Sequence, residues 1–334
     1  MQKIKYGLEN PDITYVSHKY NEHLFDTGEA VINYATTGSS DKPAIVLIPG
    51  QTESWWGYEE AMDILGKYFQ VFALDLRGQG RSSRTPGRYT YDNFGNDVVK
   101  FILFVVKRPV VVSGLSSGGV IAAWLSAYAP PGMIRGAHYE DPPMFASEIS
   151  PAYGPSIRQA GGPRFELYAK YLGDQWSIGD WEGMVNNAMD FLPPRLAQNI
   201  PSIIEQPEPP QNLKEYDPEW GKAFVTGTVG VSCDHARMLS QVKCPVLFTQ
   251  HFSAVDEKTG NLSGATTAQQ VDQVERLVKE AGQTFTRLSF PNMGHAMHRE
   301  DPKQFGKVLV NWIKTLPTEA ETRITGIFAV KEPR

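Results

Sequence analysis

Short, wholly apolar runs alternate along this chain with longer segments of helical spacing, and that alternation restricts the fold more than any other feature. Residues 44–48 (AIVLI) form one such run and stop at Pro49-Gly50. Residues 69–76 (FQVFALDL) form another and stop at Arg77-Gly78-Gln79-Gly80. Runs at 109–115, 133–139, 245–250 (PVLFTQ) and 285–290 (FTRLSF) follow the same plan, and 29–37 (EAVINYATT) alternates. Helical spacing lies between them at 57–67, 92–106 (with Asp92 as N-cap), 117–128, 266–281 and 302–316. A strand that is apolar on both faces must be covered on both faces. The pattern therefore predicts a mostly parallel sheet between two layers of helices. It lapses from about 142 to 240, a stretch rich in proline and aromatic residues that holds Trp176, Trp181 and Trp220. That stretch reads as a mostly helical insertion.

Composition narrows the function classes. The 334 residues are 41% apolar and 21% charged, enough to bury a large core. A net charge of −5 with no long basic cluster argues against a nucleic-acid partner. Cys233 and Cys244 form no CxxC, so neither a metal nor a disulfide framework is expected and a reducing compartment fits. The first residues (MQKIKYGLENPDITY) lack an apolar core of the secretory type. No apolar stretch approaches the ~20 residues of a membrane span. The expectation is a soluble, cytoplasmic protein acting on a small molecule, with no membrane partner; a homodimer is compatible with the sequence.

The run at 109–115 leads into the chemistry. Residues 110–119 read VVVSGLSSGG: a β-branched run stops at two serines set among glycines. A serine hydroxyl is a weak nucleophile and needs exposure, a base and donors for the oxyanion. A sharp strand-to-helix turn supplies exposure, but it strains the nucleophile's backbone and demands small neighbours at −2 and +2. Gly114-Leu115-Ser116-Ser117-Gly118 satisfies that demand with Ser116 at the centre. Centring on Ser117 places Leu115 at −2, which fails. The plain alternative is a Gly/Ser turn or a phosphate-binding turn; the latter wants GxxxxGK[ST] or GxGxxG, and neither is present.

Four motifs in order now resemble the α/β-hydrolase superfamily. Besides the serine turn they are Pro49-Gly50-Gln51, Asp75-Leu76-Arg77-Gly78-Gln79-Gly80-Arg81-Ser82 and Asn292-Met293-Gly294-His295. The resemblance covers about 30–140 and 240–316. It implies an α/β fold with a mostly parallel eight-stranded sheet and a helical lid after the sixth strand. Residues 1–141 and 241–334 then form the core and 142–240 the lid. It further implies Ser116 as nucleophile, His295 as base, and the backbone amides of Gln51 and Ser117 as oxyanion donors, with no cofactor. Asp75 and Arg77 read as structural, pinning the loop beside the serine, and Gly294 as the residue that lets the chain turn sharply before His295. His298 is the rival histidine, placed to line a pocket or bond the backbone. Read as HxxH, the two histidines could hold a metal, but no HExxH or nearby carboxylate pattern accompanies them.

The acid that orients His295 stays open at this stage. Most relatives of this kind take it from after the seventh strand, where Asp256 heads Asp256-Glu257-Lys258-Thr259-Gly260; that stretch reads equally well as a turn. A subset takes it from the end of the sixth strand, where Glu140 and Asp141 are adjacent. Strand alternation sends those two to opposite sides, so only one can face His295. Asp141 is favoured, then Asp256, then Glu140.

The insertion's aromatics Phe145, Tyr153, Tyr168, Trp176 and Trp181 could line a cavity for a bulky neutral substrate, although for any single one a place in the insertion's own core is the plainer reading. "GDQWSIGDW", "NLKEYDPEWG" and the helix after the serines look like bacterial zearalenone lactone hydrolases. That likeness implies a lactonase or esterase for a bulky aromatic ester. A C–C bond hydrolase, perhydrolase or amidase would use the same three residues, and a non-catalytic ligand receptor could keep the same pocket.

Overall fold

A computed structural model describes residues 16–191 and 206–319. The first residues, 192–205 of the insertion and the tail after 319 lie outside the described residues. Eight strands form one sheet: β1 (Glu22–Asp26), β2 (Val31–Thr37), β3 (Ala44–Ile48), β4 (Gln70–Leu74), β5 (Val110–Leu115), β6 (Ile134–Glu140), β7 (Val246–Gln250) and β10 (Phe285–Ser289). Their spatial order is β1-β2-β4-β3-β5-β6-β7-β10. β2 runs antiparallel to β1 and β4, and all other pairs are parallel. A small hairpin, β8 (Ala254–Val255) with β9 (Leu262–Ser263), stands apart after β7.

The apolar runs sit where two-sided burial requires. Ala44, Val46 and Ile48 of β3 face one core, and Ile45 and Leu47 face the other. The first core is covered by α2 (Tyr91–Phe101), α3 (Ser117–Tyr128) and α9 (Ala268–Glu280). The second is covered by α1 (Glu59–Leu65) and α11 (Pro302–Ile313). β1 carries no apolar run because it is an edge strand with an exposed Leu24; only Phe25 reaches the core, edge-on to Phe101.

Two local expectations need correction. The cap of α2 is Thr90, whose Oγ1 accepts from the Asn93 amide at 3.2 Å. Asp92 lies inside the helix instead, where its Oδ1 accepts from Trp124 Nε1 at 2.8 Å and ties α2 to α3. The stretch to 106 does not stay α-helical either. Ile102–Val106 widens into a π turn, closed by Lys107 at φ 59°.

Between β6 and β7 the chain forms α4 (Arg158–Tyr171), α5 (Trp181–Phe191), α6 (Gln211–Lys214), α7 (Pro218–Thr226) and α8 (His235–Leu239). α4 packs on α5 and α7, while α8 packs on α3 and α9. The insertion is pinned to the turn after β4 by polar contacts. Gln175 Nε2 donates to Gly80 O (2.6 Å) and Ser82 O (3.0 Å), and Trp176 Nε1 donates to Gly80 O (2.8 Å). Asp217 accepts from Tyr89 Oη (2.5 Å) and pairs with Arg84 Nε (3.0 Å).

Candidate active site at the carboxyl edge of the sheet

The parallel register brings the ends of β3, β5, β6, β7 and β10 to one edge: Ile48 pairs with Gly114, Leu115 with Glu140, Glu140 with Thr249 and Gln250 with Ser289. The residues that follow these ends are Pro49-Gly50-Gln51, Ser116, Asp141, His251 and the loop to His295. Such an edge is where ligands bind in open α/β sheets.

Ser116 sits in the turn at φ 55°, ψ −121°, a conformation that costs an L-residue energy. Its surroundings explain the glycines. A Cβ on Gly114 would lie 2.0 Å from Gly118 O, and one on Gly118 would lie 2.4 Å from Ile48 O. The loop after β3 runs alongside: a Cβ on Gly50 would lie 3.4 Å from Ser116 Cβ. Gln79 Nε2 donates to Gly50 O at 2.8 Å. A trans peptide is planar, so fixing that carbonyl also fixes the Gln51 N–H on the opposite side of the same plane. Sequence reasoning gave Gln79 no such task; the short RGQG turn was its only signal. Ser117 is buried at the start of α3, and its hydroxyl has no partner among the described residues.

His295 Nδ1 donates to Asp141 Oδ2 at 2.7 Å. Asp141 is buried, while the imidazole is 48% exposed. Asp141 stands just past β6 at φ 39°, held by its amide on Thr249 O at 2.9 Å. Its second oxygen accepts from the His251 amide at 3.1 Å. His251 also reaches the other partner, with Nδ1–H donating to His295 O at 3.1 Å. His251 thus braces both members of the pair, which no sequence pattern marked. Partial desolvation of the ring works to lower the His295 pKa. The Asp141 bond and charge, with Glu53 and Glu140 further off, outweigh it and leave the group above its ordinary 6.5. Among the described residues this imidazole–carboxylate bond is formed, but no hydrogen bond joins Ser116 Oγ to His295. Catalytic hydrogen bonds of this kind often tighten only when substrate is bound.

The other acid candidates are engaged elsewhere. Asp256 is exposed, and its Oδ1 accepts from the amides of Lys258 (3.0 Å) and Thr259 (2.8 Å), as a turn requires. Glu140 is fully buried on the other side of the strand end, as alternation demands. It accepts from the His298 amide at 3.1 Å and meets His298 Nδ1 at 3.1 Å. Burial opposes the ionised form of Glu140, but His298 overcomes it and holds the carboxyl well below the usual range. Burial likewise opposes the charged His298, and Glu140 and Glu53 together raise it. His298 itself is fully buried and stacks on Tyr58 at 3.9 Å, so it does not line an open pocket. Gly294 does not adopt a positive φ; its amide donates to the exposed Glu300 carboxylate at 2.9 Å, and that flexible side chain is what a Cβ there would meet.

The aromatic candidates divide. Phe145 and Tyr153 meet edge-to-face at 5.0 Å and help line a cavity of about 470 Å³ with Tyr91, Arg158 and His235. Ser116 and His295 are not among the residues lining it. Trp176 is spent on Gly80, and Trp181 is buried in the insertion with Nε1 donating to Gln206 O at 2.9 Å. Tyr168 is buried as well, edge-on to Tyr216. The expectation that Trp176, Trp181 and His298 face substrate therefore gives way to packing and docking roles. Asp75 does pin the loop beside the serine: its oxygens accept from the Trp55 amide (2.7 Å), Asn33 Nδ2 (2.7 Å) and the Arg81 amide (3.0 Å). Arg77 instead makes a buried two-bond pair with Asp97 on α2, each bond 2.7 Å.

A mostly parallel eight-stranded sheet with a strained serine and a histidine–carboxylate pair at one edge defines a hydrolase class of α/β protein. Residues 45–308 match the model of the alpha/beta hydrolase family, and the chain belongs to that family. Among curated proteins it is similar to N-formylmaleamate deformylase of Pseudomonas putida, 33% identical over 127 residues, which are 35% of this chain and 46% of that protein. It is also similar to AB hydrolase superfamily protein YfhM of Bacillus subtilis, 26% identical over 134 residues, 39% of this chain and 47% of that one. The chain thus spans about half the length of these curated relatives. In fold it is similar to a hydrolase from Pseudomonas aeruginosa PA01, with a TM-score of 0.62 at 20% identity over 88% of this chain and 98% of that one. The enol-lactonase from Burkholderia xenovorans LB400 gives a TM-score of 0.59 at 17% identity over 87% and 100% of the two chains. Among the described residues no helix is long and apolar enough to cross a membrane.

Proposed function

We propose that this hydrolase is a serine esterase or lactonase that opens a carboxylic ester of a bulky, apolar or aromatic small molecule. The observation that carries the reading is the His295–Asp141 bond at the sheet edge that also presents the strained Ser116. His295 takes the Ser116 proton as the hydroxyl attacks the carbonyl carbon, and its imidazolium is held by Asp141. The tetrahedral oxyanion is met by the Gln51 and Ser117 amides. His295 then protonates the departing alkoxide, and a water that it deprotonates releases the acid from Ser116. In a lactone the alkoxide and the acyl group belong to one ring, so the product is a single hydroxy acid. A large resorcylic macrolactone of the zearalenone type is the substrate that the sequence resemblance implies. The 142–240 insertion, acting as a lid, supplies the aromatic walls; the cavity that Phe145 and Tyr153 help line does not include Ser116 or His295 and carries no part of this reading.

A serine at position 116 speaks against the nucleophilic aspartate of epoxide and haloalkane chemistry in this fold. The deformylase relative keeps amide cleavage as a second reading of the same three residues. The test is a fluorophosphonate label read by mass spectrometry, followed by turnover of p-nitrophenyl esters, a resorcylic macrolactone and a formamide. Labelling of Ser116 with ester or lactone turnover is expected. Labelling that persists in Ser116→Ala overturns the nucleophile, and labelling without any turnover favours a ligand receptor.

A further inference from the structure

The segment from Gln211 to Asp217 lies across the loop that follows β3 and binds it through a set of hydrogen bonds. Asn212 Nδ2 donates to Thr52 O at 2.9 Å. Gln51 Nε2 donates to Tyr216 Oη at 2.6 Å. Glu215 is 2% exposed, and one of its oxygens accepts from both Ser54 Oγ and Trp56 Nε1, the indole at 2.9 Å. Its other oxygen accepts from Gln211 Nε2 at 2.8 Å. The charged groups that face it from neighbouring elements are themselves carboxylates, Glu22 of β1 and Asp75 after β4. Arg81, the cation of that cluster, is bound by Glu22 at 2.6 Å. A buried carboxyl among neutral donors and other carboxylates is a costly way to hold two segments together, and apolar side chains would do it better. What the polar contacts add is direction: those from Asn212, Glu215 and Tyr216 each fix an atom of the loop that carries Gln51.

We propose that Gln211–Asp217 is a strap, and that its Glu215 and Tyr216 are positioning residues that hold the loop so that the Gln51 amide faces the oxyanion. This rests on the oxyanion role given to Gln51 above. Gln79 fixes the Gly50–Gln51 peptide from the core side, and the strap fixes the same loop from the insertion side. Productive oxyanion binding then requires the strap to be docked, which couples the insertion to the chemical step.

The strap also carries a pH dependence of known sign. Burial raises the Glu215 carboxyl to about 7, from an ordinary 4.5, against the pull of its three donors. A strap that lifts off returns Glu215 to water and to its ordinary value. Docking therefore takes up a proton, is most favoured below about 4.5, and weakens as pH rises through about 7.

The test is kcat per fluorophosphonate-titrated site from pH 6 to 9, with a p-nitrophenyl ester. Glu215→Ala is expected to lower kcat about ten-fold, less than the ~10²–10³ for loss of an oxyanion donor itself. KM should stay within about two-fold, since the ground-state carbonyl needs the amide less. Glu215→Gln should restore most of kcat and remove the alkaline decline of the parent enzyme. Tyr216→Phe, which keeps the ring and frees Gln51, should also lower kcat and serves if Glu215→Ala does not fold. Unchanged kcat per titrated site in both Glu215→Ala and Tyr216→Phe overturns the strap, as does an alkaline limb that survives in Glu215→Gln. Absence of Ser116 labelling in the parent enzyme would instead overturn the serine-hydrolase reading beneath it.

Discussion

Ser116 can occupy φ 55°, ψ −121° because the glycines on either side leave room for the turn, and the base proposed to activate it lies 179 residues away in sequence. Which carboxyl completes that neighbour is a one-residue question. Asp141→Asn should lower kcat by about 10³–10⁴ while leaving the protein folded, because an amide cannot hold the imidazolium or fix its tautomer. Asp256→Asn should leave kcat within about two-fold, since its carboxylate serves a surface turn. Stopped-flow turnover of a p-nitrophenyl ester by the two variants separates them, and the reverse ranking would move the acid to Asp256. The pH profile is a second measure. His295 must be neutral to act as base, and the Asp141 charge raises its pKa, so the acid limb of kcat/KM should lie above 6.5. Loss of that charge in Asp141→Asn should shift the limb to lower pH.

At the scale of elements, the strand–turn–helix unit β5–α3 is a steric solution read directly from its glycines. Gly118→Ala forces a Cβ to within 2.5 Å of two backbone oxygens, Ile48 O and Pro49 O, neither of which can yield as a flexible side chain would. A loss of at least about 2 kcal/mol, with kcat falling in step, is expected by urea unfolding and turnover assays. Thr90→Ala removes only the α2 cap. It should cost about 1 kcal/mol and leave kcat unchanged, as a melting shift of a few degrees would report. The apolar runs placed β3 and α3 to the residue, and the other buried strands and long core helices to within a few. The misses share a cause. β1 is an exposed edge, β8 and β9 are two residues long, and none can carry a periodic apolar signal. The Thr90 cap was missed because Asp92 is as good a capping residue by type, and only the fold shows that it serves Trp124 instead.

Across the whole molecule, two histidine–carboxylate pairs sit side by side at the sheet edge and do different work. The His298–Glu140 pair is wholly buried. Glu140→Gln removes the buried carboxylate that His298 is bonded to and should destabilise the fold by about 3–5 kcal/mol. The sign with pH follows from the depressed Glu140 value. Its contribution is present above the ordinary 4.5 and is lost as pH falls through the folded value. The folded value lies at about 2, so urea unfolding should show the deficit of Glu140→Gln at pH 7 and still show it at pH 4. The sequence by itself determined the layered sheet, the turn that presents Ser116 and the histidine loop, because periodicity and glycine spacing are local steric facts. It could not determine which of Asp141, Glu140 and Asp256 meets His295, nor that His251, Gln79 and Glu215 brace the site. Those answers depend on strand register, on which side of a strand end each carboxyl leaves, and on contacts between segments far apart in the chain. Only the tertiary structure decides where such side chains meet.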